Sequence, residues 1–466
     1  MPGGKMFFSG TTILLLTLWP FVSQSAPPAD AITTPSADPQ IAAALKNISA
    51  QRVQQTVEKL VSFQTRHTLS SDQPASTGKG INAAALWIKS EFETYSKACG
   101  GCLEVKTDEF TQEPGNRVPN PTKLTNVYAI LRGSDPANAS RIVLVTGHYD
   151  SRNSETNDAV GASPGANDDG SGTAVSLECA RVLSQHKFPA TLVFLAVAGE
   201  EQGLYGSAHF AQMAKAQNWN IEAVLNNDIV GGDKTPGATT QDPHTVRVFS
   251  EGIPMNASES ELRLIRSVGG ENDGASRQLA RYIASVSKEY LPVGEFHPFL
   301  VFRPDRYLRG GDHTSFNQQG FAAVRFTEYR ENYDHQHQNV RTENGVEYGD
   351  LPKFVDYDYV ANVARLNAAT LASLASAPAP PAKVRILTKA LVNDSTLVWE
   401  ASPGGLATGY LVLWRDTGAP DWQYAQSFGN VTQATVPRSK DNVIFAVEAT
   451  DTKGHRSLPV VPVPQR

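Results

Sequence analysis

The sequence is poor in cysteine, in net charge and in long apolar runs. Three cysteines stand among its 466 residues, so a four-cysteine metal site is excluded. The formal net charge is −6, and no basic excess points to nucleic acid as a partner. Beyond the N-terminal segment, no apolar run is long enough to cross a bilayer. These absences direct attention to the polar motifs that the chain does contain.

Two of the cysteines, Cys99 and Cys102, are separated by a pair of glycines. We predict that they form a small structural disulfide, which suits an oxidising compartment. A redox-active pair or half of a zinc site is the alternative, although no thioredoxin-like pattern surrounds them. Cys179 lies in an apolar helical pattern and is predicted to be a buried free thiol.

The N-terminus has the features of a secretory signal. Lys5 precedes an apolar core, and Ser23-Gln-Ser25 is a small-x-small cleavage site. We predict a signal peptide over residues 1–25, a secreted or periplasmic location, and no stable membrane insertion after its removal. An uncleaved membrane anchor is the alternative. Residues 26–40 are rich in proline and alanine and are predicted to be disordered.

Strand-like and helical patterns alternate over residues 41–376. The segment 190–198 is apolar throughout, as expected of a strand buried on both faces. The pattern predicts an α/β fold, a three-layer sandwich with a mostly parallel central sheet flanked by helices. Strands are expected at 103–110, 125–131, 142–145, 190–198, 223–225 and 321–326, and helices at 41–63, 81–95, 173–183, 204–217, 277–290 and 357–374.

The end of the chain changes character. Residues 377–382 form a linker of proline and alanine. Short strand-like runs separated by turn residues then recur over 383–466, and their spacing predicts an all-β sandwich module.

Side chains that can bind metal follow the predicted strands where the strands end. Because ligands gather outside the carboxyl ends of parallel strands, we expect these side chains to lie close together. Carboxylate and imidazole ligands without thiolate suit a hydrolytic zinc site, and their number suits two metals that share a carboxylate. They are His148, Asp150, Asp168, Asp169, Glu200, Glu201, Asp228, His335 and His337.

The adjacent acids Glu200 and Glu201 are the most informative pair. Neighbouring side chains at a strand end point in different directions, so one carboxylate can face a metal and the other the attacking water. A solvated surface pair is the ordinary interpretation. The uncharged run that leads into Glu200 makes an exposed surface a poor fit, and we favour a functional pair.

Several motifs follow one another in a fixed order over roughly 51–376. They are Gly147-His148-Tyr-Asp150-Ser, Gly165-Ala-Asn-Asp168-Asp169-Gly-Ser-Gly, Ala198-Gly-Glu200-Glu201-Gln-Gly-Leu-Tyr-Gly-Ser207, Asn227-Asp228 and Asp312-His313-Thr-Ser-Phe316. Together they resemble the secreted co-catalytic zinc aminopeptidases, a family that also includes glutamate carboxypeptidases and glutaminyl cyclases.

The resemblance implies a role for each matching residue. His148 and Asp228 would bind one zinc ion, Glu201 and a late histidine would bind another, and Asp168 would bridge the two. Glu200 would be the general base, which takes a proton from the water between the ions and passes it to the leaving amine.

The late histidine is the open assignment. The family pattern is His, three residues, then Asp, and His335 fits this pattern if Asn339 replaces the acid. We predict His335 as the last metal ligand, with His337 as the alternative. Asp150 would hold the imidazole of the first histidine ligand in its binding tautomer, and Asp169 is expected to stabilise its loop.

The resemblance also implies a function. The leading hypothesis is a secreted aminopeptidase with two zinc ions per chain, acting on the N-termini of peptides or proteins. A carboxypeptidase or a glutaminyl cyclase of the same family is the alternative, although cyclases work with one zinc. Residues 383–466 resemble a fibronectin type III module, which implies a stabilising or surface-binding appendage. An adhesion protein would explain that module alone, and a non-enzymatic relative would have lost ligands.

Overall fold

The computed structural model describes residues 1, 3, 31, 32, 34–238, 241–292 and 294–466. The predicted signal peptide lies outside these residues, apart from residues 1 and 3, and stays a prediction. Within the described part of the chain, no helix is both long enough and apolar enough to cross a membrane.

The larger unit contains alternating helices and strands. Its helices are α1 Pro39–Leu45, α2 Ala50–Val61, α3 Gly80–Ala98, α4 Gly170–Leu183, α5 Glu200–Gly203, α6 Tyr205–Ala216, α7 Glu259–Val268, α8 Ala275–Tyr290, α9 Asp312–Gln318 and α10 Tyr357–Ser376. Its strands are β1 Leu103–Gln112, β2 Thr122–Leu131, β3 Arg141–His148, β4 Thr191–Val197, β5 Asn220–Asn227, β6 Thr245–Ser250, β7 His297–Val301, β8 Ala323–Glu328, β9 Arg341–Glu343 and β10 Val346–Tyr348.

An eight-stranded sheet runs through this unit in the order β1-β2-β4-β3-β5-β8-β6-β7. The four central strands, β4, β3, β5 and β8, run parallel to one another. Antiparallel pairs join β1 to β2, β2 to β4, and β8 to β6. The predicted α/β sandwich is confirmed, and its sheet is mixed, with the parallel strands at the centre.

Helices cover both faces of the sheet, so the central strands are apolar on both sides. Val143 and Val145 of β3 belong to the larger core, which includes residues of α2, α3, α4, α8 and α10. Leu144, between them, belongs to the smaller core with residues of α6 and α9. This alternation explains why the sequence of a central strand is an unbroken apolar run.

The single helix expected over 41–63 is two helices. α1 ends at Leu45 and α2 begins at Ala50. Ser49 lies between them, and its Oγ accepts a hydrogen bond of 3.3 Å from the backbone N–H of Arg52. An N-cap of this kind fixes the start of α2, and the apolar periodicity alone did not show the break.

Residues 383–466 form two sheets, and the predicted all-β character is confirmed. The strands are β11 Ala382–Leu387, β12 Ser395–Glu400, β13 Gly409–Asp416, β14 Tyr424–Phe428, β15 Gln433–Val436, β16 Val443–Thr450 and β17 Val463–Gln465. One sheet has the strand order β15-β12-β11-β17 and the other β14-β13-β16. Trp399, Tyr410 and Trp414 are buried in the core between them. The likeness to fibronectin type III stays a prediction.

The predicted linker and the segment that was predicted to be disordered are both packed against the rest of the protein. The carbonyl oxygens of Ala377 and Pro378, in the linker, accept hydrogen bonds of 2.8 and 3.3 Å from Arg141. In the segment 26–40, the backbone N–H of Ile32 donates to the carbonyl of Gln423 at 3.0 Å. Disorder is therefore the wrong prediction for the described part of that segment, because composition does not show a docking partner far along the chain.

The cysteine predictions are confirmed. Cys99 and Cys102 form a disulfide at the end of α3. Cys179 is a buried free cysteine in α4.

Candidate metal centre

The carboxyl ends of the central parallel strands bring the acidic and histidine side chains together. His148 is the last residue of β3, Glu200 and Glu201 begin α5 just after β4, and Asp228 follows β5. Because these strands are adjacent and parallel, residues far apart in the sequence meet at one edge of the sheet.

Among the described residues, two groups of three side chains could each hold a metal ion. The first trio is His148, Glu200 and Asp228, and the second trio is Asp168, Glu201 and His337. Within each trio the candidate ligand atoms all lie within 4.8 Å of one another.

Asp168 belongs to the second trio and also faces the first. Its Oδ1 is 3.3 Å from Nε2 of His148, and its Oδ2 is 2.9 Å from Nε2 of His337. Each carboxylate oxygen therefore faces a different histidine, which is the arrangement that a bridging ligand needs. Gln336 also donates a hydrogen bond of 3.2 Å to Oδ2 of Asp168.

The prediction of His335 as the last ligand is corrected by the structure. The ring of His335 stacks on Phe354 at a centroid distance of 3.8 Å, and its Nε2 lies 3.5 Å from Oγ1 of Thr235. His337, the alternative, places Nε2 3.0 Å from Oε1 of Glu201. The sequence pattern measured spacing along the chain, whereas the fold of the loop after β8 decides which ring enters the site.

Asp150 organises the first trio and the acidic pair together. Its carboxylate accepts hydrogen bonds of 3.2 Å from the backbone N–H groups of Glu200 and Glu201, and one of 2.8 Å from Thr68. Its Oδ1 and its backbone oxygen lie 3.4 and 3.2 Å from Nδ1 of His148. Acceptors at Nδ1 keep the proton on that nitrogen and leave Nε2 free to bind a metal.

Asp169 has the loop-stabilising position that was expected for it. Its carboxylate accepts hydrogen bonds from the backbone N–H groups of His148 and Gly172, both at 3.0 Å, and of Ile229 at 3.2 Å. One side chain thus ties together the ends of β3 and β5 and the start of α4. The peptide bond between Asp168 and Asp169 is cis.

The electrostatics of the first trio reflect crowded charges out of water. Burial lowers the pKa of His148, but the carboxylates of Asp169 and Glu200 outweigh burial and hold that pKa well above its ordinary value. Burial raises the pKa of Glu200 well above its ordinary value, and the carboxylates of Asp228 and Glu201 add to the rise. Buried carboxylates this close repel one another unless cations lie beside them.

The second trio has the same character. Burial lowers the pKa of His337, but the carboxylates of Glu201 and Asp168 raise it to about 10. Burial raises the pKa of Asp168, yet His337 and His148 reverse that effect and hold it well below the ordinary value.

The residues present fit a pair of divalent cations. Nε2 of His148 is buried and has no hydrogen-bond partner among the described residues, as expected of a nitrogen whose lone pair is reserved for a metal. The ligand atoms are carboxylate oxygens and imidazole nitrogens, which zinc accepts in hydrolytic sites. A positive charge in each trio would also relieve the repulsion among the carboxylates.

Two arginines of the site were missed by the sequence reasoning. Arg325 is fully buried, and its guanidinium lies 2.9 Å from Oδ1 of Asp228 and 3.1 Å from Oδ2 of Asp305. A charged residue inside the apolar run of β8 was the signal that could have revealed it. Arg152, two residues after Asp150, contacts the second trio, and its place beside a ligand motif was a weaker signal.

Asp350 was missed as well. Its carboxylate accepts hydrogen bonds from the backbone N–H groups of Asn167, at 2.8 and 3.0 Å, and of Asp168, at 2.7 Å. It therefore holds the loop that carries the bridging carboxylate. No local pattern around Asp350 announces this role, because its partners lie far back in the chain.

Comparison with known proteins agrees with this geometry. A profile of Peptidase family M28 matches residues 126–350, a range that contains both trios. A probable zinc metalloprotease of Pyrenophora teres f. teres (strain 0-1) is 44% identical over 92% of this chain and 87% of its own length. The chain belongs to peptidase family M28. A probable zinc metalloprotease of Pyricularia oryzae (strain 70-15 / ATCC MYA-4617 / FGSC 8958) is a further relative, 44% identical over 96% of this chain and 88% of its own length.

Solved structures share the fold of this M28 chain. The LapA aminopeptidase of Legionella pneumophila superposes with a TM-score of 0.50 at 23% identity, over 72% of this chain and 75% of its own. LapB of the same organism gives a TM-score of 0.51 at 18% identity, over 74% and 78%. These likenesses support the fold assignment, and the family resemblance seen in the sequence motifs is confirmed.

Proposed function

We propose that the protein is a secreted, zinc-dependent exopeptidase that binds two zinc ions and hydrolyses the N-terminal peptide bond of peptides or proteins. The observation that carries the proposal is the position of Asp168, with one carboxylate oxygen toward each histidine of the two trios. The names of the relatives as zinc metalloproteases support zinc as the metal.

The side chains divide the work. His148 and Asp228 would hold one ion, Glu201 and His337 the other, and Asp168 both. When bound, the two ions supply Lewis acidity to the scissile carbonyl group and stabilise the negative charge that develops on its oxygen.

Glu200 is the group that moves protons. It takes a proton from the attacking water and passes it to the nitrogen of the departing amine. Burial and its neighbouring carboxylates raise its affinity for a proton, which suits a group that must accept one and then release it. The backbone N–H of Glu200 is held by Asp150, and this contact fixes the carboxylate close to the first trio.

A cluster of acids beside the first trio supports a free amino group as the recognised end of the substrate. Asp150, Glu200 and Asp228 surround His148, and Asp312 follows Gly311, which packs against the carboxylate of Asp228. Burial raises the pKa of Asp312 to about 7, so this acid would gain from a cation placed nearby. A peptide N-terminus supplies such a cation.

Secretion is part of the proposal. The signal-like N-terminal sequence supports it, and so does the Cys99–Cys102 disulfide, because disulfides persist in oxidising compartments. Finding the mature N-terminus near residue 26 in culture medium of the source cells would support secretion. Retention of the full-length chain inside those cells would contradict it.

The function is tested by metal content together with hydrolysis of a panel of aminoacyl-anilides. Wild type should hold about two zinc ions and cleave substrates with a free amine. Glu200→Gln should keep the metal and lose at least ~10² in rate, the usual contribution of a general base. Glu201→Gln is the matched comparison, and it should lose metal as well as rate because it removes a ligand.

Other outcomes would redirect the proposal. Cleavage confined to N-blocked peptides with a free carboxylate would make the enzyme a carboxypeptidase. Cyclisation of N-terminal glutamine with a single zinc would make it a glutaminyl cyclase. Absence of both metal and activity would contradict an enzymatic function altogether.

A further inference from the structure

Arg152 contacts the second trio and directs an N–H donor at His337, a contact that a metal-binding histidine does not ordinarily make. Its Nη2 is 3.0 Å from Nδ1 of His337, and its Nε is 3.6 Å from Oε2 of Glu201. Its Nη1 donates a hydrogen bond of 3.1 Å to Oγ1 of Thr156. The side chain keeps 16% of its surface exposed, so it is not sealed into the core.

In the contact with His337, an N–H of Arg152 faces Nδ1. That nitrogen must itself carry a proton when His337 binds a metal. Arginine has no acceptor, so Nδ1 of His337 can pair with it only by offering a lone pair. A neutral imidazole that binds metal through Nε2 carries its proton on Nδ1, and the imidazolium form carries a proton on both nitrogens. In either state two N–H groups face each other. His148 differs, because its Nδ1 faces the oxygens of Asp150.

The guanidinium of Arg152 therefore has unused hydrogen-bonding capacity once His337 serves as a ligand. Its Nε already has no hydrogen-bond partner among the described residues. Arginine stays protonated, and its planar fork matches the two oxygens of a carboxylate. Glu201 already lies 3.6 Å from Nε as an ion-pair partner, so the donor left unserved is Nη2, which an anionic group beside the second trio would satisfy.

The charges around the two trios are distributed unevenly. Beside the second trio, Arg117 joins Arg152 and donates a hydrogen bond of 3.0 Å to the backbone oxygen of Glu201. Beside the first trio the groups are mainly acids, and the arginine there, Arg325, has two carboxylate partners, Asp228 and Asp305. Among the described residues, by contrast, Arg152 has Glu201 alone as a carboxylate partner, at 3.6 Å. A substrate with a cationic and an anionic end has one orientation that pairs both ends.

We propose that Arg152 is a specificity-determining residue that receives the carboxylate of a short peptide, so that dipeptides are preferred substrates. This inference rests on the proposed aminopeptidase function. The free amine lies toward the acids beside the first trio, the scissile carbonyl lies between the trios, and the carboxylate of the second residue pairs with Arg152.

The test compares two substrates that differ only in the charge of the second residue, Leu-Gly and Leu-Gly-amide. Wild type should cleave the free acid with a kcat/KM at least about tenfold higher, as expected for hydrogen bonds to a charged group. Arg152→Gln should bring the ratio close to one, chiefly through KM for the free acid. Arg152→Lys should keep part of the preference, because lysine keeps the charge but not the fork.

A second readout does not depend on turnover. Calorimetric binding of both peptides to the zinc-loaded Glu200→Gln variant should show tighter binding of Leu-Gly, and adding Arg152→Gln should abolish the difference. Metal content should stay unchanged in Arg152→Gln, since the ligands are intact. Arg309→Gln, which removes a partly exposed arginine paired with Glu331, is the matched control and should leave the preference in place.

The outcomes are separable from those of the proposed function. Equal cleavage and equal binding of the two peptides by proteins that retain Arg152 would overturn the inference. A preference that survives Arg152→Gln would also overturn it. If neither peptide nor any aminoacyl-anilide of the panel is cleaved, the aminopeptidase function fails, and the binding comparison alone decides whether Arg152 recognises a carboxylate.

Discussion

His335 and His337 are near neighbours in the chain, yet only one of the two rings reaches the candidate metal centre. We expect His337→Ala to lose the metal ion of the second trio, because it removes the nitrogen that faces Glu201 and Asp168. Zinc per chain, measured by mass spectrometry, should fall from about two to about one.

His335→Ala is the matched control for this prediction. It should keep both ions, because its ring stacks on Phe354 outside the trios. Loss of metal from His335→Ala but not from His337→Ala would restore the assignment that the sequence pattern favoured.

Arg325 is the buried counter-charge for two acids at once. Replacing it by methionine removes the fully buried cation that pairs with both Asp228 and Asp305, and breaking a buried ion pair in this way costs ~3–5 kcal/mol. Urea unfolding of the variant against wild type, both treated with chelator, should show a loss of this size.

Arg309→Met is the comparison for Arg325→Met. Arg309 pairs with Glu331 at 3.4 Å from a partly exposed position, where such pairs contribute ~1 kcal/mol or less. Similar losses from the two substitutions would show that Arg325 has no special position in the site.

At the scale of elements, the site depends on how closely the start of α4 approaches the ends of β3 and β5. Gly147 of β3 lies against the backbone of Gly172 in α4, and a Cβ on Gly147 would clash with it. Gly172 in turn lies against the backbone oxygen of Asn227 in β5. The glycines after Asp169 thus allow the close backbone packing that the sequence suggested.

Gly147→Ala should therefore push α4 away from the sheet. Overpacking of this kind costs ~1–3 kcal/mol in unfolding free energy, and zinc should bind more weakly because His148 is the next residue. Thermal unfolding and competition with a chelator measure the two effects. Gly418→Ala, where an added Cβ meets no atom within 4 Å, should change both by little. Equal effects of the two substitutions would contradict the close approach.

At the scale of the whole molecule, the N-terminal segment joins the two units. Ile32 is hydrogen-bonded to Gln423 of the C-terminal β-module, residues 383–466. Asp38, which caps α1, lies 3.1 Å from Nε2 of His455, whose Nδ1 is 2.8 Å from Asp451. His455 thus links a residue near the start of the described chain to one near its end.

This tie should depend on pH. Burial lowers the pKa of His455, but Asp451 and Asp38 outweigh burial and raise it, whereas the pKa values of both acids are lowered. The histidine contribution to stability is complete below its unfolded pKa of ~6.5 and is lost as pH rises through the raised folded value. The acid contributions are lost as pH falls through their lowered values.

Hydrogen exchange of residues 31–38 measures the tie. Protection should be greatest in mildly acidic solution and should weaken as pH rises and His455 loses its proton. His455→Gln should lower the protection and remove its dependence on pH, while His244→Gln, at an exposed position, should leave both unchanged. Protection in wild type that stays constant as pH rises past the titration of His455 would contradict the prediction.

Buried charges also join the β-module to the larger unit. Arg415 of the module lies 2.7 Å from Oδ1 of Asp273, and Arg281 of α8 lies 3.3 Å from the same atom. Arg281 also donates a hydrogen bond of 2.8 Å to the backbone oxygen of Pro420. The module is therefore a packed part of the molecule, although its composition and the linker before it suggested a separable appendage.

The sequence alone determined the features that depend on neighbouring residues. Alternating helical and strand patterns predicted the α/β unit and the all-β module, because periodicity and turn residues act locally. The strand-end motifs predicted His148, Asp168, Glu200, Glu201 and Asp228 as one cluster, because parallel strands present their carboxyl ends at one edge. The elements from β6 to α9 were mostly missed: β6 and β7 are short, and α7 buries none of its residues in the core.

Only the tertiary structure decided the features that depend on distant contacts. The choice of His337 over His335 follows from the path of the loop after β8, and spacing along the chain does not encode that path. The partners that Arg152, Arg325 and Asp350 meet in the site lie far from them in the sequence, so the roles of these charged residues are visible only when the sheet is assembled. The docking of the described residues between 31 and 38 on the module has the same origin, because chain entropy and composition predict disorder until a folded surface is present to bind the segment.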